Sequence, residues 1–178
     1  MSPAEELRYL ILAAQREGNR DLARALRPLG LTPAQAEVLV VLAAHAPLSV
    51  RALGTRLVCE GGSPSRLVAA LVGAGQVERR SSPDDARLTV LRLTAAGRTA
   101  VAEVRRIEAG LHAAIETAGS EAELADAVAM LRRLVVDRPA GRAVQLRRAT
   151  NAGTASGRLD HAPRSASRKA RASRPRPS

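Results

Sequence analysis

Ser63-Pro64-Ser65-Arg66 puts two hydroxyls and a guanidinium into what reads as the first turn of a helix. Such groups hydrogen-bond base edges and phosphates, and a helix N-terminus itself favours an anion. Taken alone, the same residues fit equally well as ordinary helix caps. The next segment of the chain tips the balance. Two short strand-like runs, Val77 to Arg80 and Leu88 to Leu93, flank the turn-rich Ser81-Ser82-Pro83-Asp84-Asp85-Ala86. Arg79, Arg80, Arg87 and Arg92 decorate this hairpin. A projecting ribbon with an arginine near its tip can reach a minor groove, whose negative potential attracts guanidinium. Asp85 beside Arg87 reads as a support that orients an arginine, narrowly favoured over a plain surface salt bridge.

Other chemistry is thinly represented. Cys59 is the only cysteine, which excludes an intramolecular disulfide. Its neighbour Glu60 disfavours a thiolate, so a structural thiol is preferred over a redox sensor. His45, His112 and His161 lack metal-ligand spacing, and no nucleophile–base order, phosphate loop or carboxylate pair stands out. The expectation is a non-enzyme without metal or cofactor.

The elements that must position these residues are marked by their starts. Ser2-Pro3-Ala4-Glu5, Thr32-Pro33-Ala34-Gln35 and Ser120-Glu121-Ala122-Glu123 carry a hydroxyl cap with an acidic or amide residue three positions on, and Ser63-Pro64 lacks only that partner. The first helix runs to about Leu26. A second spans Pro33 to about Ala44, with Val38, Leu39, Leu42 and Ala43 on its inward stripe. Ser49 caps a short third helix carrying Leu53 and Leu57, with Cys59 at its end. Glu60-Gly61-Gly62 turns into the fourth, whose Leu67, Val68, Leu71 and Val72 face inward. Thr94 caps a long fifth helix with apolar steps at Val101, Val104, Ile107, Leu111 and Ile115. A sixth carries Leu124, Val128, Leu131 and Val135. Helices three and four form a helix-turn-helix, and the hairpin is its wing.

Of the net charge of +11, residues 1–137 contribute only +1, from seventeen arginines against sixteen carboxylates, while residues 138–178 contribute +10. The isoelectric point therefore says little about what the folded part binds. From 138 onward Arg, Ala, Ser, Gly and Pro dominate and apolar periodicity fades. This stretch reads as a disordered basic tail with some helix near Ala143 to Ala149. Added phosphate contacts are the favoured role for it, a solvated extension without a role the alternative. Tyr9 is the only aromatic residue, so the core must be Leu, Val, Ile and Ala, and single-strand binding through stacking is disfavoured. No apolar run is long enough to span a bilayer and the N-terminus has no leader pattern, which points to a cytoplasmic protein.

Together, Leu31-Thr32-Pro33-Ala34-Gln35, Pro47-Leu48-Ser49-Val50, Ser63-Pro64-Ser65-Arg66-Leu67-Val68, Gly75-Gln76-Val77-Glu78-Arg79 and Asp85-Ala86-Arg87 running to Leu93-Thr94-Ala95-Ala96-Gly97 resemble the MarR (multiple antibiotic resistance regulator) family over roughly residues 5–137. Asp-x-Arg followed by Leu-Thr-x-x-Gly is the most specific part. The resemblance implies a fold that is mainly α with a small β-hairpin wing, a winged helix-turn-helix flanked by N- and C-terminal dimerisation helices. On that basis residues 1–137 form the folded unit, with the DNA-binding core at about 31–97 and the tail at 138–178. The resemblance further implies a homodimer on double-stranded DNA at an inverted repeat, with Ser63, Ser65 and Arg66 in the major groove, Arg87 at the wing tip and Asp85 supporting it. Arg79 and Arg80 join the expected DNA contacts. Ala70 and Ala86 stand where the family often has Arg, Gln76 where an apolar residue is usual, and Ala36 where a larger one is common. Family members often bind a small aromatic effector; with only Tyr9 available, an aliphatic effector or none fits here equally well. Two other readings stay open: a non-specific architectural DNA binder driven by the tail, and a winged helix turned to protein–protein contacts.

Overall fold

The computed structural model of the protein describes residues 1–59, 62–82, 85 and 87–156. Along the chain lie α1 (Pro3–Leu26), a 3-10 turn (Arg27–Leu29), α2 (Pro33–His45), α3 (Val50–Gly54), α4 (Pro64–Gly73), β1 (Val77–Ser81), β2 (Thr89–Leu93), α5 (Ala95–Glu116), α6 (Glu121–Val135) and α7 (Pro139–Ser156). From α1 to α6 each helix starts on a Ser or Thr whose hydroxyl accepts a backbone N–H three residues on. Full capping boxes form at Thr32–Gln35 and Ser120–Glu123. Each such cap is worth about 1 kcal/mol. All are local devices, which is why the starts are legible in the sequence.

The core gathers around α2. A single inward stripe is the expectation there, but Ala34, Ala36, Glu37, Val38, Leu39, Val41 and Leu42 are all buried, whereas Ala43 is exposed. A helix wrapped on most sides buries most sides: α1, α3, α4, β2, α5 and α7 all pack on α2. The small Ala36, at 1% exposure, lies within this crowded centre. β1 and β2 pair antiparallel with Val77 opposite Leu93 and Ser81 opposite Thr89. Leu48, between α2 and α3, adds a further rung: its N–H and C=O exchange hydrogen bonds with Leu91 at 3.4 and 2.7 Å. The hairpin is thereby stitched to the helix-turn-helix.

Two boundaries differ from expectation. α3 stops at Gly54, leaving Leu57 and Cys59 outside it, because Thr55 Oγ1 and the Arg56 guanidinium both donate to the Ala52 carbonyl, at 2.9 and 2.8 Å. The segment from Pro139 to Ser156, expected to open a disordered tail with some helix near Ala143 to Ala149, is helical throughout, with Gly141 and Ala143 buried. Residues 157–178 lie outside the described residues.

Burial fades along α5 and is slight on α6 and the first half of α1. Val101 and Val104 of α5 are buried, Ile107 and Leu111 half-buried, and Ile115 exposed. Tyr9, Leu10 and Leu12 of α1 are exposed, and so are Val128, Leu131, Leu134 and Val135 of α6, which buries no residue. No helix among the described residues is long and apolar enough to cross a membrane.

Candidate nucleic-acid interface

α4 turns its apolar face inward through Leu67, Val68 and Leu71 and leaves Ser63, Ser65 and Arg66 exposed around its first turn. Both readings of Ser63 apply at once. Its Oγ accepts the Arg66 N–H at 3.4 Å, a weak cap that leaves the hydroxyl proton free to point outward. Ser65 and the Arg66 side chain face solvent directly.

The wing is braced at both ends. At its base, Thr94 N–H donates to the Gln76 carbonyl at 3.1 Å, and Thr94 Oγ1 donates to the Gly75 carbonyl at 2.7 Å while accepting the Gly97 N–H at 3.1 Å. Gly75 sits at φ 67°, the left-handed corner glycine tolerates. A Cβ on Gly97 would run into the Gln76 carbonyl oxygen. The Leu-Thr-x-x-Gly pattern thus has a mechanical reason: α5 begins flush against the corner that opens β1. The Gln76 Oε1, buried at that corner, finds no hydrogen-bond partner among the described residues.

At the tip, Asp85 Oδ1 accepts the Arg87 backbone N–H at 2.9 Å, and the Asp85 carbonyl accepts the Leu88 N–H at 2.9 Å. Ser82 N–H closes onto the Leu88 carbonyl at 2.7 Å. Asp85 therefore holds the main chain of Arg87 and leaves its guanidinium unengaged by that carboxylate. Pro83, Asp84 and Ala86, also expected at the tip, lie outside the described residues.

The strand arginines do not share a face. Strand alternation puts Arg79 with Leu91 and Arg80 with Glu78, Val90 and Arg92. Arg80 bonds Glu78 at 2.8 Å, and that hydrogen bond is the main reason the Glu78 carboxyl sits below its ordinary range. One surface cannot take both Arg79 and Arg80 with equal reach.

Behind α4, Cys59 follows Val58 in the loop after α3. Partial burial, and then the Glu37 carboxylate beside it, push its thiol up to about 11 from 9.0. Such a thiol holds roughly a hundredfold less thiolate at pH 8, partly offset by the greater nucleophilicity of a more basic sulfur. Iodoacetamide should therefore label Cys59 about tenfold slower than an unperturbed cysteine, with a rate still rising past pH 10. A midpoint near pH 8.5 in that profile would contradict this environment. The His45 imidazole is lowered, by burial first and by Arg56 and Arg147 next. Among the described residues no three His, Cys, Asp or Glu side chains are grouped to hold a metal.

The sequence model of the MarR family matches residues 29–88, from the end of the 3-10 turn through α2, α3, α4 and β1 to the residue before β2. A mutant MarR of E. coli, complexed with operator DNA, superposes with a TM-score of 0.65 at 27% identity, covering 73% of this chain and 94% of that one. Over the helix-turn-helix and wing the chain is similar to the MarR family, and its fold is that of MarR structures over about three quarters of its length. Two more distant MarR folds are CouR from Rhodococcus jostii RHA1, bound to p-coumaroyl-CoA (TM-score 0.64, 20% identity, 75% of this chain and 94% of that one), and BpsR of Bordetella bronchiseptica (0.65, 19%, 75% and 96%). No curated protein sequence matches significantly. About a quarter of this chain has no counterpart in these relatives, whose own lengths are almost fully covered.

Proposed function

We propose that the protein is a homodimeric transcription regulator, not an enzyme, that acts in the cytoplasm and reads an inverted repeat in double-stranded DNA. The carrying observation is the joint exposure of Ser63, Ser65 and Arg66 on the first turn of α4 and of Arg87 on a wing braced by Asp85. α4 enters the major groove, its N-terminus and side chains reaching base edges, while Arg87 probes the neighbouring minor groove. Arg79 contributes from the wing's flank, and Arg80 contributes less because Glu78 already engages it. The operator-bound relative from E. coli supports the same use of the fold.

The exposed apolar residues of α1, α6 and the end of α5 supply the dimer contact, since an amphipathic helix with no buried residue needs a partner. The DNA binding of BpsR is regulated by 6-hydroxynicotinic acid, and CouR binds an acyl-CoA. A comparable effector here has a cleft of about 770 Å³ lined by Ile11, Leu12, Gln15, Asn19 and Val58, without an aromatic ring. An aliphatic effector with hydrogen-bonding groups suits it better than one that must stack.

Footprinting on genomic fragments tests the central reading. A protected pseudo-palindrome with half-sites about one helical turn apart is the expected pattern. Uniform protection of any duplex would instead favour a non-specific binder.

A further inference from the structure

The groove contacts leave one buried carboxylate without a purpose. Glu37, in the middle of α2, is 6% exposed. It accepts from the Val58 N–H at 2.8 Å, the Cys59 N–H at 2.8 Å and the Arg147 guanidinium at 2.7 Å. A carboxylate out of water is costly unless its lone pairs are engaged, and a single missing partner leaves charge uncompensated. These three donors come from two places. The amides belong to the loop that leaves α3 and enters α4. The guanidinium belongs to α7, 110 residues along the chain from Glu37.

α7 is well seated apart from this pair. Gly141 packs so closely on the end of α6 that a Cβ would collide with the Val135 carbonyl oxygen. Ala143 is 1% exposed. Pro139 and Ala140 line a cleft with Cys59, Gly62 and Pro64, so the start of α7 lies beside the turn that opens α4. Farther along, Arg147 reaches the face of α2 that carries His45 and Val41.

We propose that α7 is a positioning element for the recognition helix: Arg147 seats it on Glu37, and Glu37 passes that seating to the Val58–Cys59 backbone that aims α4. Displacing α7 leaves the carboxylate one donor short. It then turns toward water, which slackens its hold on the two amides. The orientation of α4, and with it the fit to an operator, thereby depends on a helix outside the DNA-binding core. The seating is independent of the proposed function; its effect on DNA rests on α4 being the reading helix.

The test uses the full chain and two readouts, amide hydrogen exchange and operator affinity by fluorescence anisotropy. Arg147→Met keeps the side-chain stem and removes the charge. Exchange at Val58 and Cys59 should speed up tenfold or more, while the Leu91 amide, bonded to Leu48 in the wing stitch, changes less than twofold. Operator affinity should fall three- to tenfold. Arg147→Lys should recover most of both losses, because a single N–H to Oε1 bond is what an ammonium can replace. Ala143→Arg dislodges α7 while leaving both residues of the ion pair in the sequence, and should reproduce the Met result. Unchanged exchange at Val58 and Cys59 in both Arg147→Met and Ala143→Arg overturns the proposal, as does freed exchange with unaltered operator affinity. If the parent protein shows no operator binding that depends on Arg66, it is the DNA reading that fails, and the exchange rates still decide whether α7 holds the loop.

Discussion

Gly97→Ala is expected to lower the unfolding free energy by about 2 kcal/mol in urea melts, although alanine is the better helix former. Two effects oppose each other at this position. Replacing a helical glycine by alanine gains at most about 1 kcal/mol. Against it stands a steric cost of about 1–3 kcal/mol or more for forcing an atom into a packed site. The steric term wins because the added Cβ meets the Gln76 carbonyl oxygen, part of the main chain, and also approaches Leu93 Cδ2 at 3.2 Å. A flexible side chain could swing away, but the corner at Gly75–Gln76 is held by both bonds from Thr94. Gly73→Ala is the control of opposite sign. Gly73 closes α4, and a Cβ added there would meet nothing within 4 Å, so alanine should stabilise by about 0.4–1 kcal/mol. If both variants melted alike, the base of the wing would not be a rigid joint.

Arg66→Ala and Arg87→Ala should each weaken operator binding by about 1–3 kcal/mol, a roughly five- to 150-fold rise in Kd. Neither should move the melting temperature much, because both side chains are exposed and neither guanidinium is engaged by an ion pair among the described residues. The two should differ in kind. Loss of Arg66 from the first turn of α4 relaxes preference at particular base pairs, whereas loss of Arg87 weakens binding according to minor-groove width. Arg80→Ala provides the internal contrast and should cost less than either, since its guanidinium is held by Glu78 at 2.8 Å on the outer face of the wing. Titrations at several salt concentrations separate a base contact from a phosphate contact, because only the latter lowers the salt slope. Unchanged affinity in both Arg66→Ala and Arg87→Ala would move the reading toward a protein–protein module.

The legible features share one property, which is that they are local. Thr32–Gln35 and Ser120–Glu123 cap within one turn, the Val101 to Ile115 spacing follows from the helical repeat, and Gly75 and Pro64 mark a corner and a start. The exposed first turn of α4 and the ribbon after it can be placed for the same reason. Asp85 reads from the sequence as a support for an arginine, but its grip on the main chain of Arg87 through a short loop does not. The start of the expected tail at 138 is misplaced because α7 has almost no amphipathic periodicity. Gly141 and Ala143 contribute close fit, which leaves little trace in hydrophobic spacing.

The sequence alone determined the order and starts of α1 to α6, the ribbon, and a small set of exposed groups at Ser65, Arg66 and Arg87 on a nearly neutral body. Each of these depends on residues a few positions apart. Tertiary structure alone decided that Glu37 is a buried anchor, that Gly97 must lack a Cβ, and that α7 docks beside α4. Those depend on groups brought together from distant parts of the chain, where packing and lone-pair satisfaction choose among partners that spacing cannot distinguish.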